Sequence, residues 1–325
     1  MNLLYTLNYA IFSAFITLFL IEVGFALSLL IDYNKYSGRI RPLINPIWEV
    51  TGTFGVFYLV NYEVTYPKLL VLIGGTYAIP LLIALIFILL RNAFLALGDY
   101  MRGDRYEQLF GTIYSLSTLI AALLVISVLT SGISGIGIGS IGITASAFTN
   151  SFNVLVIITM LLFALSIAST IIRYDGSGIV GPVASMCGFV IGFVSMYIYL
   201  PIFYHAIQAN ATVVIIAVVL IAASVVAQLT KLRYAWIVNI IAIVATINLF
   251  GALMYPFTLG TQNVTGFMAS QQIAGPEILI TVLGGAFVTV SLAALVYLNY
   301  VRKSSDQLTV EKPQAGQKGH GKEAS

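Results

Sequence analysis

The chain has 325 residues, of which 59% are hydrophobic and only 8% charged; its mean hydropathy is +0.99 and its formal net charge +3. A soluble domain carries about a quarter charged residues. These values exclude a soluble enzyme or a nucleic-acid-binding module and point to a polytopic membrane protein. The single cysteine, Cys187, rules out an internal disulfide. The first apolar run is too long, and lacks the basic lead-in, to read as a cleavable signal.

Nine apolar segments follow in order: Leu4–Ile31, Ile47–Tyr62, Leu69–Leu97, Tyr106–Thr130, Phe152–Ile172, Ile179–Phe203, Thr212–Leu229, Ala235–Phe257 and Ile278–Val301. About 20 helical residues cross the hydrocarbon core. The second segment is short and rich in Gly, Thr and Tyr, so alone it also reads as a re-entrant hairpin. Charge decides in favour of a span. With the N-terminus outside, the inner connections hold Lys35, Arg39 and Arg41, then Arg91, Arg102 and Arg105, then Arg173, then Lys231 and Arg233, and finally Arg302 with Lys303, Lys312, Lys318 and Lys322. Of all the basic residues only Lys68 falls outside, and dropping one span destroys this bias. The expectation is an all-α membrane helix bundle of nine transmembrane helices over residues 1–302, N-terminus outside. A disordered cytoplasmic tail follows over 303–325. The sequons at Asn210 and Asn263 fall in outer connections, as this topology requires. The segment Ser131–Asn150 carries no charge, which suits an acidic exterior.

Most polar motifs read as structural. Gly137, Gly139 and Gly142 match a dinucleotide fingerprint, but lie in an outer loop without the following acid. His205 and His320 are the only histidines, so a bis-histidine haem or a His-rich metal site cannot be built from this chain. No metal ligands are assigned, and any redox cofactor must sit mainly on a partner. Pro80, Pro182, Pro201 and Pro256 read as packing features. Asn239 and Asn248 suit bonds between helices, with a quinone site as the sharper alternative. Arg91, Asp99, Arg102, Asp104, Arg105 and Glu107 read as a solvated charge cluster at the inner surface.

Two acids stand apart. Of twelve acidic residues, only Glu22 and Glu49 are read as set inside apolar stretches. A charge at membrane depth costs roughly 2.5–3.5 kcal/mol on insertion scales, so such a group usually faces protein or a wet path. Glu22 lies ten residues before Asp32, about 15 Å from the inner edge at 1.5 Å per residue. Glu49 sits beside Trp48 near the cytoplasmic mouth of the second span. Either acid can be a satisfied buried group; together with Trp48 they also mark an inner proton half-path.

Around these residues the chain resembles subunit II of cytochrome bd-type quinol oxidases. The family has a Gly-Phe pair late in its first helix, a basic loop, and a Gly-Pro-x-Trp-Asp element entering the second helix. Gly24 and Phe25, Arg39 and Arg41, and Asn45, Pro46, Ile47, Trp48 and Glu49 stand in those places. Leu85–Arg91 is similar to the edge of the family's third helix, and Tyr255, Pro256, Ala269 and Ser270 to its last loop. Val23 and Ala26 replace the acids that usually flank the Gly-Phe pair. Glu22 is one position earlier, rotated by about 100° around the helix. The chain thus reads as a divergent member.

The resemblance implies an accessory subunit in an aerobic respiratory chain, not catalytic by itself and binding no haem of its own. It would pack in the plasma membrane against a haem-bearing subunit I, which oxidises quinol from the quinone pool and reduces oxygen. This chain would help proton or oxygen access, with Glu49, Glu22 and Trp48 as the proton-path candidates. A proton-coupled secondary transporter is the alternative, though no pair of related halves or substrate cluster is evident. A purely structural anchor for another membrane complex is the third reading.

Overall fold

A computed structural model describes residues 3–100, 106–135, 148–173, 178–255, 260, 262–268, 275–287 and 289–290. Among these, eleven α-helices occur. They are α1 (Leu3–Ile31), α2 (Tyr33–Thr65), α3 (Pro67–Thr76), α4 (Ala78–Tyr100), α5 (Glu107–Ser134), α6 (Ser151–Ile172), α7 (Val180–Tyr199), α8 (Pro201–Ala209), α9 (Ala211–Leu229), α10 (Ala235–Met254) and α11 (Gly275–Phe287). Eight are long and apolar enough to cross a membrane: α1, α2, α4, α5, α6, α7, α9 and α10. The last apolar segment begins in α11, and its remainder, like the 303–325 tail, lies outside the described residues.

The helices depart from the apolar segments in three places. The second helix starts not near Ile47 but at Tyr33, two residues after α1 ends. Asp32 makes this possible: its backbone is extended and its carboxylate accepts the Lys35 N–H at 3.1 Å. Pro42 and Pro46 sit inside α2. Each frees the carbonyl four residues earlier. Those carbonyls belong to Gly38 and Pro42, both exposed, so water or headgroups can bond them. Helix α2 is thus about 50 Å long, against about 30 Å of hydrocarbon, and its basic half projects from the layer. The third segment breaks at Tyr77 into α3 and α4, and the sixth breaks at Leu200, where Pro201 opens α8. Pro80 and Pro182 lie in first turns, where a missing N–H costs nothing. Pro256 is outside the described residues.

Helix α1 is the core. It is apolar all round, the pattern of a helix enclosed on every side. It packs against α2, α5, α6 and α10, and most residues from Ile16 to Ala26 are buried. Because hydrocarbon is as apolar as leucine, burial alone does not drive such helices together; close packing and polar bonds do. Gly24 supplies the closest approach. A Cβ there would collide with the Ala164 carbonyl and meet the Ala168 methyl at 2.8 Å. Polar bonds add a second tie: Asn239 on α10 donates to Ser166 on α6 at 3.0 Å and accepts from Ser224 on α9 at 2.9 Å. Asn239 therefore bonds between helices.

Gly24→Ala should destabilise the protein by about 1–3 kcal/mol, the usual range for overpacking a full core. Gly38→Ala, which meets nothing within 4 Å, should not. Thermal unfolding of the purified protein in detergent distinguishes the two.

Candidate functional site

Glu22 projects from the C-terminal half of the core helix and is 1% exposed. Its partner is Arg91, 5% exposed, whose Nη1 donates to Glu22 Oε2 in a buried ion pair. Glu22 is thus neither a lone acid nor part of a solvated surface. Arg91, expected in the charge cluster at the inner surface, points instead into the bundle. The cause is position: Arg91 lies in the helical stretch of α4, nine residues before its end at Tyr100. Of the rest of that cluster, Arg102, Asp104 and Arg105 lie outside the described residues.

The pair extends into a four-helix network. Arg91 Nε donates to Asn92 Oδ1 at 3.2 Å, and the same oxygen accepts from Trp48 Nε1 at 2.9 Å. A line of bonds therefore runs Trp48, Asn92, Arg91, Glu22, from α2 through α4 to α1. The buried hydroxyl of Thr51 on α2 lies beside the Glu22 carboxyl and donates to the Ile47 carbonyl at 2.8 Å. Tyr114 of α5 lies within electrostatic reach of both Glu22 and Arg91, and its buried hydroxyl has no hydrogen-bond partner. Glu22 Oε1 is likewise unpartnered. The site thus keeps one spare acceptor and one spare hydroxyl beside a charged pair.

On its far side Tyr114 lines a cavity of about 30 Å³, shared with Tyr33, Arg41 and Asn45. That is room for one water. Beyond it, Arg41 pairs with Glu107, donates from Nη2 to the Tyr33 hydroxyl at 2.6 Å, and is about one-fifth exposed. Tyr33 in turn donates to the Glu107 carbonyl at 3.2 Å. Gly111 provides the space for the Tyr33 ring, which a Cβ would strike. A polar line therefore leads from a partly exposed ion pair, past a water-sized space, to the buried acid.

The three candidate residues do not converge. Trp48 joins the Glu22 network. Glu49, the next residue, is exposed, about 100° further round α2. It shares that exposed side with Thr53, whose hydroxyl donates to the Glu49 carbonyl at 2.8 Å. Sequence reasoning also missed a buried acid. Glu277, left among the acids outside the apolar stretches, is 5% exposed and bonded to Thr65. The apolar run directly after it was the available signal.

The family model for cytochrome bd terminal oxidase subunit II matches residues 3–302. The chain belongs to that family. It is accordingly a multi-pass membrane protein of the respiratory quinol oxidases, which in prokaryotes occupy the plasma membrane, and membership implies a hetero-oligomeric complex with a partner subunit. Among solved structures, a chain of the bd oxidase from Geobacillus thermodenitrificans has the same fold, with a TM-score of 0.71 at 18% identity. The alignment covers 90% of this chain and 96% of that one. No curated protein matches. The family's helical bundle is therefore retained although most of its side chains have changed.

Removing either member of the buried pair should leave the other charge stranded. Glu22→Ala and Arg91→Ala should each cost about 3–5 kcal/mol, whereas replacing both with apolar residues of similar volume should cost far less. A double-mutant cycle on thermal or denaturant unfolding in detergent measures this coupling.

Proposed function

We propose that this chain is the accessory, non-haem-binding subunit of a quinol:oxygen oxidoreductase, and that it helps bring protons to a haem-bearing partner. The observation that carries the reading is the pairing of consecutive residues on α2. Trp48 turns inward onto the hydrogen-bonded line to Glu22, while Glu49 turns outward from an apolar helix. A carboxylate facing hydrocarbon is costly, so an exposed one within a span calls for a protein cover. A partner seated over Glu49 would touch the Trp48 edge of the Glu22 network. Protons would enter near Arg41 and Glu107, pass the water-sized cavity to Tyr114 and Glu22, and reach the partner at the Trp48–Glu49 edge.

Haems and quinol belong to the partner in this reading. Of the two histidines, His205 is exposed on α8, far from the Glu22 site in sequence and element, and among the described residues no cluster of metal-binding side chains occurs. The topology that goes with it has nine spans, the ninth beginning in α11, with the N-terminus outside and the C-terminus in the cytoplasm. The charge bias of the connections supports it.

Two measurements test the proposal. Purified alone, the chain should show no haem absorbance; a stoichiometric haem would overturn it. In the complete complex, Glu49→Ala should slow oxygen reduction or proton uptake by about tenfold, roughly 1.4 kcal/mol in the barrier. Unchanged turnover and coupling would make Glu49 an interface acid without a proton role.

A further inference from the structure

A second buried polar site lies at the other end of the core helix. Asn8 and Glu22 are fourteen residues apart on α1, or about 21 Å. Around Asn8 the chain gathers Asn61 and Thr65 from α2 with Glu277 and Thr281 from α11, all 7% exposed or less. Glu277 bonds Thr65, and Thr281 donates to Asn61 Oδ1. Both pairs are spaced four residues apart on their helices and run in opposite senses, so they form two rungs between antiparallel helices.

We propose that Glu277 binds a proton, and that this protonated carboxyl is the clasp holding α11 to α2. This goes beyond the proton access proposed above and does not depend on it. The argument is a count of hydrogens around Thr65 Oγ1. Asn8 Nδ2 faces both the Leu4 carbonyl at 3.1 Å and Thr65 Oγ1 at 2.8 Å. A carbonyl only accepts, so the Asn8 atom is the nitrogen, and Thr65 accepts from it. Thr65 is also 2.7 Å from the Asn61 carbonyl, another group that only accepts. The single hydroxyl hydrogen of Thr65 satisfies that carbonyl. The remaining contact, to Glu277 Oε1, then needs its hydrogen from Glu277.

Charge accounting agrees. An ionised Glu277 would have to draw the Thr65 hydrogen away from Asn61. Its Oε2 is buried with no partner in either state, a cost that is larger for a charged oxygen than for a neutral one. Among the described residues no arginine or lysine pairs with it. The titratable group facing it is Tyr66, whose buried hydroxyl is unpartnered; Tyr5, Tyr62 and Tyr255 surround that ring. The charged residues nearby in sequence, Glu63 on α2 and Lys68 on α3, are exposed, and α11 carries no other charge. A lone carboxylate in such surroundings takes a proton instead of remaining charged.

Infrared spectroscopy of the intact complex in lipid tests this. At neutral pH the spectrum should contain the carbonyl stretch of a protonated carboxyl, shifted down in D₂O and lost in Glu277→Gln. Thr65→Val, which removes the acceptor, should move the band to higher wavenumber. Glu277→Gln can donate to Thr65 in the acid's place, so the complex should keep its assembly and thermal midpoint, while Glu277→Ala should lose part of both. A carboxylate band from Glu277 at neutral pH would overturn the proposal. So would a sodium-dependent rise in the wild-type thermal midpoint that Glu277→Gln abolishes, since a metal cation would then hold the site.

Discussion

The structure turns on one constraint: a polar group inside a membrane bundle has no water to fall back on, so each must find its partner among the helices. The Glu22–Arg91 pair is where this weighs most. Two charges sit within a span's length of apolar sequence, and neither could stay there without the other. Their meeting brings α1 and α4 together through a bond that hydrocarbon cannot supply. Asn92, Trp48 and Thr51 then complete the surroundings from α4 and α2. Close packing through Gly24 and the Asn239 network hold the opposite sides of α1 by the same logic, with small residues and amides in place of charges.

This makes α1 a scaffold with a polar site at each end. Around Glu22 a charged pair keeps an unpartnered oxygen, with an unpartnered tyrosine hydroxyl and a water-sized space nearby. Around Asn8 the amides and hydroxyls are joined to one another, and the one acid closes the set. Both sites keep unpartnered oxygens, Glu22 Oε1 in the first and Asn8 Oδ1 and Glu277 Oε2 in the second. The first is built on an ion pair between two helices, the second on hydrogen bonds that join three. Between them runs an aromatic layer that includes Phe12, Phe15 and Tyr58 and keeps the two polar sites apart.

The exposed side of α2 follows from the same constraint. Glu49 and Thr53 lie on a side of the helix that the described residues leave uncovered. In a soluble protein such residues would need no explanation; in a membrane they are an unfinished surface. The family relation supplies the context, since a subunit II has a partner.

Much of this was legible in the sequence. The apolar runs determined an all-helical membrane bundle, because a backbone in hydrocarbon must bond within its own segment. Glu22 stood out because a charge interrupting an apolar run is costly and therefore meaningful. The short motif around Trp48 carried the family. Helix boundaries were less legible: α2 begins fourteen residues earlier than its apolar run because Asp32 caps it and its two prolines free only exposed carbonyls. What only the tertiary structure decided is pairing. Arg91 looked like surface charge and proved to be the buried partner of Glu22, and Glu277, just ahead of the last apolar run, proved to be buried against α1 and α2. Glu49 and Trp48, adjacent in the chain, lie about 100° apart on α2, and only Trp48 joins the Glu22 network. Hydropathy records the cost of burying a residue; which neighbour offsets that cost depends on how distant helices meet, and no local pattern encodes that.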